Sequence, residues 1–251
     1  MPAAKGARKP TDGQVQETWN LVSLGDSTPT GYGVGTENSY VSIYAKYIEE
    51  DLGIHVAVHN WATNETRTVA DWAEAIRHDE QLREDLMNAQ VITIWLGWHN
   101  VIPSITVHGE NSSIELTRTL DVHRLREATH PMRDSYNRLL SEIVALAPPH
   151  EARILIADVG IPALFVRTYK EYGVFDEFKK HAYESWREYI IQSAGKYEVF
   201  VVHTSEVVND PNHDQQMAPE YMQADGIHFN EAGHKLIAQI HREIGYECSR
   251  I

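Results

Sequence analysis

Five apolar stretches of strand length punctuate the chain: NLVSL at 20–24, IHVAV at 54–58, VITIWL at 91–96, RILIADV at 153–159 and EVFVVH at 198–203. They are rich in Val and Ile and barely alternate, the pattern of strands buried on both faces. Between them the period lengthens to that of a helix. In NSYVSIYAKYIEEDLG (38–53), Val41, Tyr44, Ala45, Ile48 and Leu52 recur at three- and four-residue steps, with Asn38 placed to cap the helix and Gly53 to stop it. A second helical region covers about 68–89. A third opens after Pro131 with Met132, Tyr136, Leu139, Ile143 and Leu146 on one face. DEFKKHAYESWREYIIQSAG (176–195) aligns Phe178, Ala182, Trp186 and Ile190, and NEAGHKLIAQIHREIG (230–245) turns Leu236, Ile237 and Ile240 inward.

Strands alternating with helices imply a parallel sheet covered on both sides, since each parallel crossover is long and right-handed. The expected architecture is a three-layer α/β/α sandwich on a flavodoxin-like five-stranded sheet of order 2-1-3-4-5. Residues 1–18 read as a flexible tail and 19–251 as one domain. The segments 101–130 and 207–224 read as long irregular stretches.

Composition narrows the class. With 36 acidic against 22 basic residues the formal charge is −14, which repels nucleic acid and anionic membranes. No segment has the apolar length of a membrane span, and the amino terminus has no signal-peptide core, so a cytoplasmic location is expected. The single cysteine, Cys248, excludes an internal disulfide and a cysteine-based zinc site. Fourteen histidines raise the question of a metal, but the H-E-x-x-H spacing is absent and no metal or other cofactor is expected. The glycines of GYGVG (31–35) do not fit a nucleotide-loop spacing.

Open parallel sheets bind ligands beyond the carboxyl ends of their strands, where the strand order reverses. In the order expected here that crevice brings Ser27, in LGDS after the first strand, beside Gly97-Trp98-His99-Asn100 after the third. A serine needs a base, and the base needs an orienting group. ADGIHFNEAGH (224–234) offers both in one turn, Asp225 three residues before His228. Trp95 reads as core and Trp98 as a wall of the crevice.

Gly25-Asp26-Ser27 near one end and Asp225-Gly226-Ile227-His228 near the other, joined by this strand and helix order, resemble the SGNH hydrolases, the GDSL esterase/lipase family. The resemblance spans roughly residues 19–245. It implies a metal-independent serine esterase acting on a small-molecule carboxylic ester: Ser27 as nucleophile, His228 as base, Asp225 as its orienter, with Asp26 left to anchor the turn. An O-acyltransferase or deacetylase acting on carbohydrate, or a weakened ligand-binding relative, uses the same fold.

The family's oxyanion hole takes the nucleophile's amide, a glycine amide after the second strand and an asparagine side chain after the third. This chain departs from that pattern. Asn64 or Glu65 stands at the glycine's place, and either His99 or Asn100 supplies the third donor beside Gly97.

Overall fold

The computed structural model describes residues 17–108, 114–147 and 152–246. Cys248 lies outside them, as do residues 1–16 of the expected tail. Thr18, placed by sequence at the end of the expected tail, opens β1 (Thr18–Gly25) and pairs with His55.

After β1 come α1 (Ser27–Thr30), α2 (Tyr40–Leu52), β2 (His55–Asn60), α3 (Val69–His78), α4 (Glu80–Met87), β3 (Val91–Trp95) and α5 (Trp98–Ile105). A short antiparallel hairpin, β4 (Thr106–His108) and β5 (Ile114–Leu116), leads to α6 (Val122–Thr129), α7 (Met132–Leu146) and β6 (Arg153–Ala157). The chain ends with α8 (Ala163–Glu171), α9 (Phe175–Phe178), α10 (Ser185–Tyr197), β7 (Phe200–Val202), α11 (Thr204–Val208) and α12 (Glu231–Ile244).

The sheet order is β2-β1-β3-β6-β7 with every pairing parallel, the flavodoxin-like order expected. Leu21, Val22 and Leu24 of β1 and Ile92 and Ile94 of β3 are wholly buried, as strands covered by helices on both faces must be. No described helix is long and apolar enough to cross a membrane.

Several local expectations change. Ser39, not Asn38, caps α2: its Oγ accepts the Ser42 amide at 3.2 Å, while Asn38 closes a short 3-10 turn. Leu52, at the helix end beside Gly53, is exposed. The 68–89 region breaks at Asp79, whose carboxylate caps the new helix through the Leu82 amide. Segment 101–130 is not irregular, for it holds the end of α5, the hairpin and α6.

The stripe at 178–190 also runs through a break. Residues Lys179–Glu184 form a π-helical segment between α9 and α10, yet Phe178, Ala182, Trp186 and Ile190 are all wholly buried. A strict four-residue repeat drifts by about 40° per step on an α-helix. The wider π turn absorbs that drift and keeps the four on one face.

Candidate active site

The site stands at the carboxyl ends of β1 and β3. Gly25 ends β1 where no side chain fits: a Cβ there would lie 2.5 Å from the Pro29 ring. Asp26 then caps α1 by accepting the Thr28 amide at 3.1 Å, which sets Ser27 at the first helical position. There its own N–H has no intrahelical acceptor. Burial raises the pKa of Asp26, against the pull of the Thr28 amide, His99 and His228.

The partner turn comes from the far end of the chain. Asp225 Oδ1 accepts the amides of Ile227 (2.9 Å) and His228 (3.0 Å), and Gly226 takes φ 69°, so the turn closes on its own carboxylate. The other oxygen, Oδ2, meets His228 Nδ1 at 2.7 Å, and His228 Nε2 reaches Ser27 Oγ at 3.0 Å. Burial raises the pKa of Asp225, but the His228 bond and the two amides outweigh it and hold the carboxylate below its usual range. Asp225, His228 and Ser27 thus form one continuous hydrogen-bonded chain.

Tyr32 completes this corner. Its ring lies on His228, centroids 4.3 Å apart, and its carbonyl accepts from Gln223 Nε2 at 2.7 Å. Gly33, at φ 78°, leaves room for that glutamine, since a Cβ there would sit 2.3 Å from Gln223 Oε1. The GYGVG segment is therefore a fitted turn. Sequence reasoning singled out its glycines and passed over Tyr32, although the turn between them carries that ring to the histidine.

The four candidates flanking the serine divide. Past β2, the Thr63 amide donates to Gly25 O at 3.1 Å, so the chain keeps alongside β1 and delivers Asn64 to the cavity wall. Asn64 Oδ1 accepts from Thr30 Oγ1 at 2.9 Å, leaving its NH₂ as donor. Glu65 is exposed and does not line the cavity.

After β3, Gly97 adopts φ 149° with its Cα against Trp186, where a Cβ would fall 2.4 Å from the ring. It starts α5, and consecutive residues on a helix diverge by about 100°. His99 faces the cavity, while Asn100 points to α3, accepting the Val69 amide at 3.1 Å through Oδ1. The one-residue shift that would bring Asn100 to the serine does not occur.

Behind Ser27 opens a cavity of about 290 Å³. Trp95, Trp98, Ile102, Phe165 and Met217 give it an apolar wall. Trp98 is both wall and core: it is buried, stacks on Phe178, meets Phe165 and Trp186 edge to face, and donates from Nε1 to Gly160 O at 3.0 Å. Phe165 and Met217 come from segments without a recognisable motif.

Asp158, His203 and Glu206 also converge, with ligand-type atoms within 4.8 Å of one another. Arg187 fills the place of a cation there, with Nη2 2.9 Å from Asp158 and 3.0 Å from Glu206. The Asp158 hydrogen bond raises the pKa of His203. This is an ion-pair network tying α10 to the end of β6.

A parallel α/β/α sandwich with this arrangement at its strand ends defines the class, a hydrolase of the SGNH type. The family model of the GDSL-like lipases/acylhydrolases matches residues 23–236, and the chain belongs to that family.

Among solved structures, the lipase Lip_vut3 from a goat rumen metagenome superposes with a TM-score of 0.70 at 18% identity, covering 91% of this chain and 98% of that one. The psychrotrophic esterase EstA from Pseudoalteromonas sp. gives 0.55 at 15%, with 89% and 94% covered. A lipase/acylhydrolase from Enterococcus faecalis gives 0.55 at 17%, with 90% and 95% covered. At these identities the likeness is one of fold. No curated protein sequence matches the chain.

Proposed function

We propose that the protein hydrolyses small carboxylic esters through an acyl-enzyme on Ser27. The observation that carries the reading is the unbroken hydrogen-bonded chain from Asp225 through His228 to Ser27 Oγ at the mouth of an apolar cavity. His228 Nε2 takes the Ser27 proton as Oγ attacks the ester carbonyl, then returns it to the departing alkoxide. Water enters by the same path, attacks the acyl carbonyl and frees Ser27. Asp225, held ionised, keeps the imidazole proton on Nδ1 and offsets the charge that forms on the ring.

The oxyanion is held by the Ser27 amide, by Asn64 and by His99. His99 Nδ1 accepts the Arg67 amide at 3.2 Å, so the neutral ring carries its proton on Nε2 and donates from there. A histidine thereby replaces the family's asparagine without loss of a donor. The cavity volume sits at the lower edge of small-molecule sites, roughly 300–1,000 Å³, which favours short acyl groups.

A fluorophosphonate probe tests the assignment. It labels the wild-type protein at Ser27 with loss of fluoride, and Ser27→Ala and His228→Ala variants remain unlabelled. A folded wild-type protein that takes no label, and turns over no chromogenic acetate or butyrate ester, refutes it.

A further inference from the structure

A second cavity adjoins the catalytic one on its far side. His99 and Ile102 form its wall there, and the same two residues line a second cavity of about 570 Å³ that opens beyond them. Thr66, Pro103, Val107 and Arg124 complete most of that outer groove. None of Ser27, Tyr32 or His228 lines it, so it lies beyond the His99 side of the site, away from His228.

Its charge is out of keeping with the rest of the protein. In a chain of net charge −14, the described lining contains Arg124 and neither Asp nor Glu. Arg124 has no carboxylate partner among the described residues; one Nη2–H donates to Pro103 O, at the carboxyl end of α5, at 2.6 Å. That bond to a helix-end carbonyl holds the guanidinium at the groove, with its other N–H donors available. A guanidinium with spare donors, in a groove that shares the His99–Ile102 wall with the cavity of Ser27, matches a carboxylate or phosphate in geometry as well as charge.

We propose that the outer groove is a substrate subsite for an anionic group, and that the protein prefers esters bearing a carboxylate or similar anion on one half, recognised by Arg124. The proposal rests on the hydrolase reading for its consequence but not for its binding. His99 then serves two neighbours, one face toward the reacting carbonyl and the other toward the charged end of the same molecule.

Two matched pairs of esters test it and distinguish the halves. Monomethyl glutarate against methyl pentanoate carries the anion on the acyl side; O-acetylglycolate against ethyl acetate carries it on the alcohol side. By proton release, kcat/KM is expected to favour the charged member of one pair by roughly 10-fold, the worth of a modest charge-assisted hydrogen bond. The effect falls mainly on KM. That ratio drops toward unity in Arg124→Gln, inverts in Arg124→Glu and survives in Arg124→Lys.

Calorimetric binding of the same esters to the Ser27→Ala protein reads the groove without turnover. A charged-ester preference there, with no turnover by the wild type, defeats the hydrolase reading and leaves the groove standing. Equal affinity for charged and neutral members, or a preference that Arg124→Gln does not move, overturns the groove.

Discussion

Acidification is expected to unfold this protein through two histidines that have no room for a proton. His241 lies wholly buried between Tyr40 and Tyr44, ring centroids 5.0 and 5.4 Å away. Its Nδ1 donates to Ile237 O at 2.8 Å, and its Nε2 is buried without a partner among the described residues. Burial lowers its pKa to about 4, against the opposing Ile237 bond. His234, whose Nδ1 accepts the Tyr40 amide at 3.1 Å, is likewise lowered to about 4 by burial and by His228.

In the unfolded chain both titrate near the ordinary value of about 6.5. Between those limits the unfolded state binds protons that the native state refuses, so stability is intact above about pH 6.5 and falls as the pH drops toward 4. At pH ~5 the loss amounts to about 2 kcal/mol per histidine. About 4 kcal/mol for the pair is a large share of a typical folding stability of roughly 5–15 kcal/mol.

His241→Phe keeps a ring between the tyrosines and removes the proton site. Urea unfolding followed by tryptophan fluorescence, at pH ~7.5 and ~5, reads the difference directly, because all other titrations are common to both proteins. The variant is expected to lose about 2 kcal/mol less than the wild type over that interval. Equal losses would refute the burial argument.

Two further perturbations address the site. His99→Ala is expected to lower kcat by roughly 100- to 1000-fold, as loss of an oxyanion donor does, with His99→Asn recovering much of it; an alanine variant within a few-fold of wild type removes His99 from the hole. Gly97→Ala forces a Cβ to 2.4 Å from the Trp186 ring at φ 149°, so a loss of about 2–4 kcal/mol in thermal or urea unfolding is expected, and an unchanged melting temperature contradicts that packing.

The buried strands and the two turns of the candidate site were legible in the sequence because each rests on a local pattern. Continuous Val/Ile runs mark doubly covered strands, and LGDS and DGIH each fold a tight turn from their own side chains. The flanking donors were not legible, since their selection depends on helix phase. An amide is the better donor at any pH, which favours Asn100 on chemistry alone. Yet α5 starts at Trp98, and its rotation sends Asn100 to Val69 and His99 to the cavity.

Segment 101–130 carries α5 past a proline, for Pro103 sits in the last turn of that helix, where its carbonyl accepts from Arg124. The Asp79 break shows the reverse case, a cap hidden inside a continuous amphipathic pattern. Arg67, which fixes the His99 tautomer, acts through its backbone amide and leaves no mark on residue type.

The serine and its histidine are separated by 201 positions. Under the proposed mechanism, translation therefore makes the nucleophile 201 residues before its base. His228 arrives together with α12, which docks on α2 through His234 and the Tyr40 amide. Under that mechanism, a product terminated before His228 carries a serine with no histidine to activate it.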